Sequence, residues 1–211
     1  MKVAVDNMQN VQDLSDIAYA YGVKIGVLIE VETQMGRAGV RSNEEGVAIA
    51  KLAESLPGVD FRGVMSHQSL MEYKGEEDRY EVGRQTIQIC LDVKNAIEAE
   101  GIAVEMVSSG ETFTIDVAAT IPGVTEVEGG TYALGGTDYD YMEDYQMANK
   151  VMGTVISTPR SGVAIGDVGL FALSWQGADS VEGHSDVTVA ELLDHHIVLK
   201  SDGDMPLEVG D

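Results

Sequence analysis

The stretch Ile25 to Glu30 (IGVLIE) is a nearly continuous apolar run, and no other feature of the chain restricts its fold so much. A strand that is apolar at successive positions is buried on both faces, the pattern of a parallel strand covered by helices. The neighbouring segments agree. Lys2 to Val5 is a short apolar strand ended by Asp6 and Asn7, good helix caps, after which Val11, Leu14, Ile17, Ala18 and Tyr21 recur at helical spacing until Gly22. Ser42 with Glu45 is a capping-box signal for a second helix carrying Val47, Ile49, Leu52, Ala53 and Leu56. Phe61 to Ser66 reads as a third strand, and a long helix runs from about Glu76 to Gly101. Ile102 to Val107 is a fourth strand, Glu111 to Thr120 a short helix and Val124 to Val127 a fifth strand.

Strands and helices alternating in this way imply a parallel sheet with right-handed crossovers. The expected fold is α/β, a partial (β/α)8 barrel of about five βα units. Past Met147 the rhythm changes, and Val151 to Thr158, Gly162 to Gly169 and His195 to Lys200 read as strands joined by Gly, Ser and Asp turns. The chain thus divides into a partial barrel, 1–146, and a small, incomplete C-terminal β domain, 147–211. The boundary lies near the acidic, tyrosine-rich stretch Thr137 to Tyr145.

In a barrel, chemistry collects at the C-terminal ends of the strands. The loops expected there read EVETQMGRAG (Glu30 to Gly39), SHQSL (Ser66 to Leu70), SSGETFT (Ser108 to Thr114) and EVEGGTY (Glu126 to Tyr132). The last two combine glycine with hydroxyl residues. Glycine lets backbone N–H groups close on an anion and the hydroxyls add donors, which suits a phosphate, although ordinary turns use the same residues. Arg37, one of six arginines, follows a strand; it either pairs with Glu30 or Glu32 or serves an anionic oxygen. His67, beside Gln68, either meets a ring or is structural. His195 and His196, adjacent on a strand, face opposite ways and cannot chelate one metal, and no metal-ligand spacing occurs elsewhere.

Against 13 basic residues stand 36 acids, a net charge of −23, which makes nucleic acid and anionic membrane poor partners. The surface is that of a soluble acidic enzyme or of a protein adapted to high salt. The single cysteine, Cys90, reads as a small core residue in a reducing compartment. No run of about 18 apolar residues and no signal-peptide pattern is visible, so a cytoplasmic protein is expected.

Six motifs occur in a telling order: MGRAGV at 35–40, GVMSHQSL at 63–70, VSSGETFT at 107–114, VTEVEGGTYAL at 124–134, TVISTPRSGVAIGDVGL at 154–170 and DHH at 194–196. In this the chain resembles the D-threonine aldolase and eukaryotic-type D-serine dehydratase family, fold-type III pyridoxal-phosphate enzymes whose N-terminal domain is similar to that of alanine racemase. The resemblance implies pyridoxal 5'-phosphate at the barrel mouth. Arg37 would face its phenolic oxygen, and His67 and Gln68 would lie near its ring. Gly110 and Thr112, with Gly130 and Thr131, would bind its phosphate. Glu128 would meet the pyridine nitrogen and keep it protonated, which favours carbanion chemistry; the alternative is an exposed glutamate at a strand end.

The departures are equally specific. The family's Schiff-base lysine ends the first barrel strand, whereas about five of about eight βα units are visible here and none of the seven lysines stands at a suitable strand end. The chain is therefore expected to be truncated, with the catalytic lysine outside it. The family's metal ligands follow a Val-Gly-Asp turn, and this chain stops at Val209, Gly210 and Asp211, so a divalent metal is expected only of the longer parent. Glu111 stands where a small hydroxyl residue is usual, so its charge should point away from the phosphate. Gly136 and Phe171 replace a common Asp and a frequent Lys.

The resemblance implies a lyase cleaving D-threonine-like 3-hydroxy-D-amino acids to glycine and an aldehyde, with a homodimer as the family's assembly. The alternatives are dehydration of D-serine or D-3-hydroxyaspartate, a non-catalytic cofactor-binding barrel remnant, and a phosphate-binding barrel for a sugar phosphate. An open sheet would also leave an apolar edge, and the isolated chain is expected to be poorly stable.

Overall fold

Strand β1 (Lys2–Val5) runs into Asn7, whose side chain accepts the backbone N–H groups of Gln9 (2.8 Å) and Asn10 (3.4 Å) and so starts helix α1 (Met8–Ala20). This satisfies donors that a helix leaves free at its first turn. The computed structural model describes residues 1–68, 76–135, 139, 141–173 and 180–211, which form two units, Met1–Gln146 and Met147–Asp211.

In the first unit β2 (Ile25–Glu30), β3 (Val59–Ser66) and β4 (Met106–Ser109) continue from β1 in a parallel sheet of order β1-β2-β3-β4. Between them lie α2 (Asn43–Ser55) and α3 (Glu76–Ala99), and α4 (Ile115–Ala119) follows β4. Ser42 caps α2 by accepting from the Glu45 N–H (3.2 Å), but the Glu45 carboxylate accepts from Arg41 N–H (2.7 Å) rather than from Ser42, one residue off the reciprocal pattern expected.

Strands adjacent in sequence are adjacent in space, and α1 packs on α2 and α2 on α3. This unreversed order is that of a barrel arc, whereas a doubly wound sheet reverses its order. Val27, Ile29, Val64, Ile87, Cys90 and Ile97, all fully buried, form the core between sheet and helices. All four C-terminal strand ends therefore share one edge.

Two expected strands are shorter than their apolar content suggested. Ile102 and Val104 pack against the core without joining the ladder, so β4 starts at Met106. The fifth strand is reduced to a single parallel bridge, Ser108 with Glu126, while Val124 serves packing. Helix α4 starts only at Ile115, because the preceding N–H groups go to the Glu111 carboxylate and the Thr114 hydroxyl.

The second unit is an antiparallel sheet of β5 (Val155–Arg160), β6 (Val163–Gly166), β7 (Val187–Leu192) and β8 (Ile197–Ser201), in the order β5-β6-β8-β7. Val155, Ala164, Val187, Ile197, Leu199 and Leu207 form its core. Strand β7 had no counterpart in the sequence reading, although Val187 and Val189 alternate with Thr188 and Ala190. His195 and His196 precede β8 in a turn closed by Leu193 N–H donating to His196 O (2.8 Å), so the opposite-facing geometry expected of a strand does not apply. His195 instead stacks on Phe171, ring centroids 4.8 Å apart. Ser69 and Leu70 of the second motif, Gly136, and Thr137, Asp138 and Asp140 of the boundary stretch lie outside the described residues. Among the described residues no helix is long and apolar enough to cross a membrane.

Candidate functional site

The ends of β3 and β4 carry facing hydroxyls, Ser66 Oγ and Ser109 Oγ, 2.8 Å apart. Gln68 lies over them, wholly buried. Its Nε2 donates to Ser66 Oγ (2.9 Å) and Ser109 Oγ (3.2 Å), and its Oε1 accepts from Gly110 N–H (3.0 Å). The sequence reading put Gln68 beside a cofactor ring. In the structure it ties two strand ends to Gly110 beneath the loop. Gly110 has φ +101°, and a Cβ there would lie 2.5 Å from the Ala118 methyl, so only glycine fits.

Glu111 overturns its expected orientation. It is 7% exposed, and its carboxylate turns into the loop to accept from the Phe113 N–H group (3.0 Å). Loop donors freed by the turn attract the nearest anion, and that anion is Glu111 itself. Burial pushes its carboxyl up to about 7, against the downward pull of the Phe113 and Thr112 N–H groups and of Arg79.

The glycine-rich loop beyond Glu126 is pinned to the first one. Ser109 N–H donates to Glu126 O (2.9 Å), Glu128 N–H to Gly110 O (2.7 Å) and Tyr132 N–H to Thr112 Oγ1 (3.1 Å). Gly110 and Thr112 are thereby joined to the segment holding Gly130 and Thr131. Gly130 faces open space, with no atom within 4 Å of where its Cβ would be.

Glu128 is not the exposed strand-end glutamate of the alternative reading. Burial raises its carboxyl to about 7, the Ser108 hydroxyl and Arg37 pull it down, and Glu126 and Glu30 push it up. Its Oε1 is buried and has no hydrogen-bond partner among the described residues. An orphaned buried acceptor is costly, by about 1–3 kcal/mol, and marks a place where a donor is missing. The protonated nitrogen of a pyridine ring is such a donor, so the site fits pyridoxal phosphate at this position.

Arg37 is half-exposed, 4.0 Å from Glu30, and its charge reaches both Glu128 and His67. Burial, then Arg37, lowers the His67 pKa, which leaves a neutral imidazole at pH 7. Arg37, His67, Glu30 and Glu128 thus share one mouth. Ser66, Ser108, Ser109 and Glu126 lie in the strand-end loops singled out from the sequence, which assigned them no individual roles.

A recess of about 410 Å3 beside α3 is a poorer anion site. Its walls carry Glu76, Asp116, Glu143 and Asp144, and its one arginine, Arg79, is already held by Asp116 (2.6 Å) and Glu76 (3.1 Å). Among the described residues no cluster of three or more His, Cys, Asp or Glu is arranged to hold a metal.

The model of the alanine racemase N-terminal domain matches residues 1–138, and that of a serine dehydratase domain matches residues 148–211. The 3-hydroxy-D-aspartate aldolase of Paracoccus denitrificans (strain Pd 1222) is 32% identical over 99% of this chain and 57% of its own length. A D-threonine aldolase from an Arthrobacter species is 30% identical over 95% of this chain and 55% of its own length. The chain therefore spans little more than half of these relatives. In structure, the D-threonine aldolase from Filomicrobium marinum superposes with a TM-score of 0.92 at 22% identity, covering 100% of this chain and 60% of that one. The parallel strands with their pinned glycine loops, and the match over residues 1–138, show that the chain belongs to the alanine racemase N-terminal domain family, here joined to a serine dehydratase domain.

Proposed function

We propose that this chain is the cofactor-binding part of a pyridoxal-phosphate lyase that cleaves 3-hydroxy-D-amino acids of the D-threonine kind to glycine and an aldehyde. The observation that carries the reading is the buried Oε1 of Glu128 at the mouth, without a hydrogen-bond partner among the described residues. When bound, pyridoxal phosphate supplies an electron sink for the carbanion left as a bond to the α-carbon breaks. Glu128 would accept the ring N–H, and its ionised form is favoured by that positive partner. Gly130 and Thr131, with Gly110 and Thr112 opposite, would hold the phosphate. Arg37 would stabilise the phenolic oxygenate, and neutral His67 would lie against the ring.

On this reading the lysine that holds the cofactor, and the ligands of a divalent metal that activates the substrate hydroxyl, are not among the residues of this chain. The aldolase relatives support carbon–carbon cleavage. The serine dehydratase domain match over residues 148–211 supports a second reading, elimination of water from D-serine or D-3-hydroxyaspartate. We further propose a homodimer in the cytoplasm, the latter in keeping with a single free, buried Cys90.

Equilibrium dialysis of pyridoxal phosphate tests the site, and product analysis of the longer protein tests the reaction. Retention that weakens in Glu128→Ala, with glycine and acetaldehyde released from D-threonine, is expected. Release of ammonia and a keto acid would select the dehydratase reading, and retention indifferent to Glu128→Ala would sink both.

A further inference from the structure

We infer that the Glu111 carboxylate is an internal occupant of the first phosphate loop, so that a phosphate gains the Phe113 N–H group only by expelling it. The inference rests on the phosphate placement proposed above and adds a competitor to it.

Most backbone donors of this loop already have a partner inside the protein. Gly110 N–H is held by Gln68 Oε1, Glu111 N–H by Thr114 Oγ1 (3.0 Å), and Thr114 N–H by Glu111 O (2.9 Å). The Phe113 N–H meets the Glu111 carboxylate at 3.0 Å, and that carboxylate is 7% exposed and therefore seated rather than passing by. The loop already binds an anion, one that is covalently tethered and always present. A tethered ligand competes at high effective concentration, and a phosphate arriving beside it meets like charge.

The groups facing Glu111 do not neutralise it fully. Among the described residues Arg79 of α3 is the cation within its reach, and that guanidinium is shared with Asp116 of α4 and Glu76. Tyr141 and Tyr145 sense the Glu111 charge and are themselves pushed up, first by burial. Entry of phosphate therefore requires Glu111 to swing out, and its raised pKa of about 7 lets it leave as the neutral acid within ordinary pH. Phosphate binding becomes linked to proton uptake.

The test compares the full 211-residue chain with Glu111→Gln and Glu111→Ser, using inorganic phosphate as the probe and following the backbone amides of Thr112 and Phe113 by NMR. At about pH 8 the Ser variant should bind phosphate at least about tenfold tighter than wild type, a step worth about 1.4 kcal/mol. The amide shifts should centre on Phe113, and the advantage should shrink towards about pH 6 as Glu111 protonates. Equal affinities, absent binding in all three proteins, or shifts centred elsewhere would overturn the inference. Pyridoxal phosphate titrated in parallel separates the two ideas. Tighter phosphate without pyridoxal phosphate binding overturns the cofactor reading alone, and equal pyridoxal phosphate binding by all three overturns the role of Glu111 alone.

Discussion

Replacing Gln68 by alanine tests whether that side chain is a tie beneath the loop. Its loss leaves Gly110 N–H buried without an acceptor, which costs about 1–3 kcal/mol. Ser66 and Ser109 keep each other at 2.8 Å, so their loss is smaller, about 0.5–1 kcal/mol together. With the space left by the missing side chain, the sum is about 3 kcal/mol, a large part of a typical folding free energy of about 5–15 kcal/mol. Native-state hydrogen exchange reads this locally, and about 3 kcal/mol corresponds to about a hundredfold loss of protection at Gly110. The amides of β1 and α1, which have no bond to Gln68, should change less. Unchanged protection at Gly110, or a loss below about fivefold, would refute the reasoning, because a side chain that merely faces a ring leaves that amide untouched.

Other outcomes follow from the same geometry. Asp116→Asn strips the buried Arg79 of its main partner; the usual cost of breaking a buried pair is about 3–5 kcal/mol, but Asp116 is 40% exposed and Glu76 remains, so about 2 kcal/mol and a drop of roughly 4–8 °C in thermal midpoint are expected, and no drop would contradict it. Burial pushes the Cys90 thiol up to about 12, so a thiol reagent at about pH 8 should label it only as fast as the chain opens, and immediate labelling would show that the α3 face is not packed as described. Glu111 and Glu128 both titrate near 7 instead of 4.5, so the folded chain binds protons that the unfolded chain has released. Their contribution is present below about pH 4.5 and is lost as the pH rises to about 7. The thermal midpoint should fall across that window, and Glu111→Gln with Glu128→Gln should flatten the fall; an equal fall in the double variant would show that the remaining acidic surface causes it.

What the sequence disclosed depends on how local the cause was. Strands β1 and β2 and the caps Asn7 and Ser42 follow from adjacent residues, and they stand where the pattern put them. Ile102 and Val104 misled because apolarity reports burial, not ladder pairing. Strand β7 was missed because its alternation is short and half-exposed. At the site, the glycine-hydroxyl loops were legible as segments that follow strand ends. That Gln68 lies beneath them was not, since its partners are Ser109 and Gly110, some forty residues further along the chain. The direction of Glu111 depends on which N–H groups the loop leaves free, and Glu128 Oε1 is left without a partner among the described residues because the Ser108 hydroxyl donates to Glu126 (2.9 Å).

The most direct test of the central claim is a crystal structure of this chain with pyridoxal 5'-phosphate. The account expects the pyridine nitrogen within hydrogen-bonding distance of Glu128 Oε1 and the phosphate against Gly130 and Thr131. A phosphate bound elsewhere, or a ring nitrogen facing solvent while Glu128 Oε1 stays without a partner, would contradict it.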